Sequence, residues 1–145
     1  MQEKETEIWC KGETAMEMKE VTVVFYRREF KDDKWRNAVD EQGLKALFER
    51  LGKDLVSVGV RLSRAEDPDM VMEIKGYGDL LNSVRIRSPK DGVGNMCLGH
   101  VIGQSAHLNL VEDIERGVNR AAFAPETIEP EGSDKVVCHN CGCGC

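Results

Sequence analysis

Aromatic side chains are scarce in this sequence, at 6% of 145 residues, so a hydrophobic core has to rest on Val, Leu, Ile and Met. No apolar run approaches the ~18 residues of a membrane span, so no spanning helix is expected. A basic surplus is missing too. Lys and Arg number 20 against 26 Asp and Glu, for a net charge of −6 and a pI near 5.2. Proteins that grip phosphate backbones normally present a basic face, so nucleic acid is not an expected partner. The first twenty residues lack the basic start and apolar stretch of a secretory signal. They carry Glu3, Glu5, Glu7, Glu13, Glu17 and Glu20 against three lysines. A soluble, cytoplasmic protein is expected.

Familiar catalytic signatures are absent as well. Gly92-x-Gly94 lacks the third glycine of a dinucleotide fingerprint and has no Walker lysine after it. Ser105-Ala106-His107 is not a nucleophile elbow. Glu66, Asp67 and Asp69 lack the rest of a calcium loop. Glu112, Asp113 and Glu115 read as a solvated helix start, where acids suit the dipole.

The length is that of one domain, and 41% hydrophobic with 32% charged residues is an ordinary globular balance. Residues 1–19 read as a polar, acidic segment with one apolar island, Ile8-Trp9, and room for a short edge strand over residues 6–11. A single α+β domain is expected over residues 20–123. Its first strand spans residues 20–28. Val21, Val23 and Phe25 face one way, Val24 and Tyr26 the other, so the strand reads as central. A charged loop over residues 29–38 follows. Arg27, Arg28, Lys31, Lys34 and Arg36 around Trp35 suit an acidic partner or a phosphate, weakened by three interleaved acids.

Leu44, Leu47, Phe48 and Leu51 fall at i, i+3, i+4 and i+7, predicting a helix with Asp40 as N-cap and Gly52 at its C-terminal end. A strand over residues 54–63 is predicted from the alternation of Val56, Val58, Val60 and Leu62. After a turn at Glu66-Asp67-Pro68-Asp69, another covers residues 70–75 with Met70, Met72 and Ile74 inward. Gly76-Tyr77-Gly78 breaks it. Residues 82–87 read as a strand with Val84 and Ile86 inward and Arg85 and Arg87 toward solvent. Met96 to Ile102 reads as a short, tightly packed helix. Asn109 and Glu112 form a capping box for a helix bearing Val111, Ile114, Val118 and Ala121. The expected fold is a mixed sheet of four to five strands with two to three helices packed on it, in a thioredoxin-like or ferredoxin-like arrangement, with an extended cysteine-rich C-terminal tail. A thioredoxin-like chain usually carries a reactive cysteine pair after its first strand. Phe30-Lys31-Asp32-Asp33 stands there, so that chemistry is not expected.

Cysteine carries the functional signal. Six occur, at 10, 97, 138, 141, 143 and 145, four of them within eight residues. In a reducing compartment such a cluster reads as metal-binding or redox-active. Residues 124–137, acidic and holding two prolines, read as a linker, which as a flexible coil of ~14 residues spans roughly 20 Å. The tail at 138–145 then offers Cys138, Cys141, Cys143 and Cys145, with His139 as an auxiliary ligand. Thiolates are soft ligands for Zn, Cu(I) or an iron–sulfur cluster. Alternating glycines let the backbone curl so that successive sulfurs converge. Closing four thiolates of one octapeptide on a single Zn, at Zn–S of ~2.3 Å, is strained; a larger cluster or several Cu(I) ions fits better. Cys97 and His100, at i and i+3, are possible additional ligands, though a buried thiol and a satisfied core histidine account for them more simply.

Cys141-Gly142-Cys143 resembles the terminal motif of A-type iron–sulfur carrier proteins, and the Cys-x-Cys pattern is similar to metallothionein. Both likenesses stop at the tail. They imply a metal or cluster held by tail cysteines.

The leading expectation is an accessory protein that holds or delivers a soft metal or cluster to a partner metalloenzyme or redox complex. An alternative is a thiol-disulfide or sulfur-transfer enzyme with Cys143 or Cys145 as nucleophile. A third is a structural subunit completing a cluster in a larger redox complex.

Overall fold

The structure, a computed structural model, describes residues 18–128. Its elements in chain order are β1 (Lys19–Phe30), α1 (Asp33–Asn37), α2 (Glu41–Val56), β2 (Val60–Ile74), α3 (Tyr77–Asn82), β3 (Val84–Ser88), β4 (Val93–Cys97), α4 (Leu98–Ile102) and α5 (Leu110–Phe123). Short 3-10 turns lie at Pro89–Asp91 and Pro125–Thr127. The body is α+β, with a mixed four-stranded sheet in the order β2-β1-β3-β4. β1 and β2 run parallel, with Lys19 opposite Val60. β3 is antiparallel to β1, pairing Val23 with Ile86, and β4 is antiparallel to β3, pairing Ile86 with Met96.

Alternation along the strands sorts the two faces. Val21, Val23, Phe25, Val84, Ile86 and Met96 join one core with Leu44, Leu47, Leu51 and Leu55 of α2 and Ile114, Val118 and Ala121 of α5. Both long helices therefore pack on the same face. Thr22, Val24, Tyr26, Arg85, Arg87 and Cys97 alternate onto the other. α5 lies close to α4 because Gly117 has no side chain. A Cβ there would stand 2.5 Å from Leu98 Cδ1.

Local signals place the helix starts. The Asp40 side chain accepts from the Gly43 amide at 2.9 Å, and the Asn109 side chain accepts from the Glu112 amide at 3.0 Å. Each satisfies an amide that the first helical turn leaves without a partner.

Several expectations are corrected. α2 does not stop at Gly52 but runs to Val56, because Leu55 extends the buried stripe by one more i+4 step. The strand expected from residue 54 therefore begins at Val60. Val56 and Val58, read as strand residues, are each 56% exposed around the turn at Gly59, whose φ of +84° suits glycine. The turn at Glu66–Asp69 does not separate two strands. Tyr26 pairs with Asp67 and Arg27 with Val71, so Pro68, Asp69 and Met70 bulge out of one continuous β2. Met70 is exposed accordingly, while Ile74 is buried. Tyr77 and Gly78 open α3 instead of a plain break. Residues 96 and 97 belong to β4, with α4 following. The two or three expected helices are five helical segments among the described residues, three of them under two turns.

Candidate functional site

The sulfur-bearing face of the sheet is built where β3 and β4 meet. Cys97 is the last residue of β4 and faces Arg85 across the ladder. It is also the N-cap of α4, its Sγ accepting the amide of His100 at 3.3 Å. The i, i+3 spacing that suggested a ligand pair is thus put to use as a cap, with both residues buried. The arrangement gives a thiol shielded from solvent, with an amide donor on its sulfur and a guanidinium in the neighbouring strand. Among the described residues no group of three or more His, Cys, Asp and Glu side chains converges as a metal site. Cys138, His139, Cys141, Cys143, Cys145 and Cys10 lie outside the described residues, as does the strand expected over residues 6–11.

Arg85 is the residue that sequence reasoning misplaced. It was expected in solvent and is only 4% exposed. Its Nε donates to the Asn82 carbonyl at 3.1 Å, its Nη2 to Asn82 Oδ1 at 2.9 Å, and its guanidinium lies 5.0 Å from the Tyr26 ring centre. Arg87 is half-buried and donates to Asn95 Oδ1 at 3.0 Å, while Asn95 donates to the Tyr26 hydroxyl at 3.0 Å. A polar row thus runs across a largely buried face. Alternation in the sequence allowed a solvated face, as antiparallel strands commonly have, and only the fold shows β3 between two other strands with both faces largely buried.

Asp113 is a second correction. Expected on a solvated helix start, it is wholly buried. Tyr77 donates its hydroxyl to Asp113 Oδ2 at 2.5 Å, and Arg116 donates to Asp113 Oδ1 at 3.3 Å and to the Gln104 carbonyl at 2.9 Å. Burial, then the bond to Asp113 and its charge, push the Tyr77 hydroxyl well above the ordinary tyrosine range. The phenol stays protonated and donating. This network ties α3 and the 103–109 loop to α5.

The basic stretch after β1 is largely committed to local contacts. Arg36 pairs with Asp33 at 2.7 Å and Lys31 with Glu73 at 3.6 Å, while Lys34 lies over Trp35 and Arg36 over Phe30. Arg28, within β1, turns toward α2, over Phe25 and near Glu41.

The acidic stretch after α5 begins inside the body. Pro125–Thr127 form a 3-10 turn, Arg120 donates to Thr127 Oγ1 at 2.8 Å and also to its carbonyl, and Ile128 is buried in the main core. The chain thus leaves the described body toward the cysteine tail from an anchored point. Comparison with protein-family models, with curated proteins and with solved structures finds no match to this chain.

Proposed function

We propose that this protein is an accessory protein that binds a soft metal or an iron–sulfur cluster through Cys138, Cys141, Cys143 and Cys145, with His139 as an auxiliary ligand, and presents it to a protein partner. The observation that carries this reading is four cysteines within eight residues, three of them alternating with glycine. Closely spaced thiolates of this kind chelate thiophilic metals. Two further observations support the presentation of a bound metal. Ile128 and Thr127 are held by the body, and only nine residues, 129–137, separate Ile128 from Cys138. A tether of that length reaches at most ~35 Å from its root, and about 17 Å as a flexible coil.

The body itself supplies a scaffold. We assign it to the thioredoxin-like alternative. A ferredoxin-like chain runs β-α-β-β-α-β, whereas here the fourth strand precedes the last helices. Cys97 is buried and capping. Phe30-Lys31-Asp32-Asp33 fills the place of a reactive cysteine pair. Among the described residues no accessible cysteine is left for thiol exchange, and that chemistry would fall to the tail.

The test is metal and sulfide analysis of full-length protein purified without oxygen, beside a chain ending at residue 137. Stoichiometric iron and acid-labile sulfide, or zinc or copper, present in the first and lost in the second, is the expected result. Metal retained by the truncated chain would refute the tail as the site. A metal-free tail that cycles between dithiol and disulfide would favour the thiol enzyme. A cluster seen only with a co-purifying protein would favour the structural subunit.

A further inference from the structure

We propose that the junction of β1, β2 and the first turn of α2 is a binding site for a small oxyanion, a phosphate or carboxylate group, gripped by Arg28 and Arg64.

Arg28 is short of acceptors among the described residues. Its side chain is only 14% exposed, and its Nη1 is buried with no hydrogen-bond partner among the described residues. The carboxylate within reach among the described residues is Glu41, whose Oε2 stands 3.7 Å from Nη2, too far for a hydrogen bond. A buried guanidinium nitrogen left short of acceptors is unusual, because buried polar groups are nearly always bonded. Burial lowers its affinity for the proton, and nearby Arg64 works in the same direction against Glu41 and Glu66.

Arg64, on β2, completes the grip. Its guanidinium lies 4.5 Å from the Phe25 ring centre and 5.4 Å from that of Phe48, while Arg28 lies 5.6 Å from Phe25. Two guanidinium groups therefore rest on one aromatic ring and reach toward the same carboxylate. Glu41 meets Arg64 Nη2 at 3.3 Å, and Glu66 meets Arg64 Nε at 3.5 Å. Glu41 is 59% exposed. It accepts one long bond, at 3.3 Å, from Arg64 and stands beyond bonding distance of Arg28, which is the position of a displaceable stand-in. An incoming oxyanion has acceptors for Arg28 and Arg64 together, in the forked geometry that guanidinium groups favour. The helix terminus does not supply the grip, since the Gly43 amide is already taken by the Asp40 side chain. None of its residues belongs to the cysteine tail.

The experiment is a titration of the full-length protein, by calorimetry and thermal melting, with inorganic phosphate and separately with acetate, each against chloride at matched ionic strength. A saturable response to phosphate or acetate but not chloride is expected, and the stronger of the two tells a phosphoryl from a carboxylate ligand. Glu41→Gln removes the competing carboxylate and should tighten binding roughly 2- to 5-fold. Arg28→Met and Arg64→Met should each abolish the response while circular dichroism stays native. If Arg28→Met fails to fold, Arg64→Met and Glu41→Gln still decide. No saturable response in wild type and Glu41→Gln, or a response that survives Arg64→Met, overturns the proposal.

Discussion

The Tyr77 hydroxyl and the Asp113 carboxylate, 36 positions apart in the chain, meet at 2.5 Å with the carboxylate entirely out of solvent. Tyr77→Phe leaves that acceptor one donor short. We expect a loss of about 1–3 kcal/mol in urea unfolding, the range for stranding a buried acceptor. The pair also has a pH signature. The folded-state pKa of Tyr77 is raised, so its contribution is complete below about pH 10, where tyrosine in the unfolded chain starts to ionise. Above that, stability falls as pH rises, by up to about 1.4 kcal/mol per pH unit. Tyr77→Phe should show a shallower alkaline slope than wild type. Equal slopes would refute the assignment.

Lys19 closes the opposite end of α5. Its Nζ donates to the Ala121 carbonyl at 2.7 Å and the Ala122 carbonyl at 3.1 Å, and pairs with Asp91 at 2.8 Å. Partial burial pushes Asp91 up, but hydrogen bonds from Lys19 and Ser88 and the lysine charge outweigh it and hold its pKa below the usual value. A depressed carboxylate stabilises the fold above its unfolded pKa, near 4, and loses that contribution as pH falls through the folded value. Lys19→Met should therefore lower stability at neutral pH by about 1 kcal/mol through the lost carbonyl bonds. It should also flatten the acid limb of a stability–pH curve.

Gly117 sets the separation of α4 and α5. Gly117→Val should destabilise by about 1–3 kcal/mol, because its Cβ starts inside the buried Leu98 side chain. In the double variant with Leu98→Ala the clash is relieved, so the two losses should sum to less than their independent total. Strict additivity in chemical denaturation would count against direct contact.

Arg85 and Arg87 provide a comparison within one strand. Arg85→Met removes donors from buried Asn82 and the cation over Tyr26, and should lower stability by about 1–3 kcal/mol. Arg87 is half-buried and, among the described residues, bonds Asn95, so Arg87→Met should change stability by less than about 1 kcal/mol. Equal effects in thermal melts would contradict the burial of Arg85.

How legible each feature was follows the distance over which it is encoded. The Asp40 cap on Gly43 and the Asn109 cap on Glu112 each span three residues and were readable directly. The faces of β1 were readable from simple alternation. The end of α2 was not, because Val56, Val58, Val60 and Leu62 fit a strand while Leu51 and Leu55 fit a helix. The Cys97–His100 spacing allowed a ligand pair or a buried thiol beside a core histidine, and the structure buries both residues and adds a cap that the spacing alone did not suggest.

From its order of residues alone this chain determines an α+β body with two amphipathic helices, the helix starts, and a thiol-dense C-terminal stretch. These depend on neighbours within one or two turns, or on composition. Only the tertiary structure decided that Arg85, Asp113 and Arg28 turn inward, that β2 bulges at Pro68–Met70, and that Ile128 closes the core. Each of these is settled by a surface that another, distant segment brings up against the residue. A side chain's own neighbours in sequence carry no information about which surface that will be.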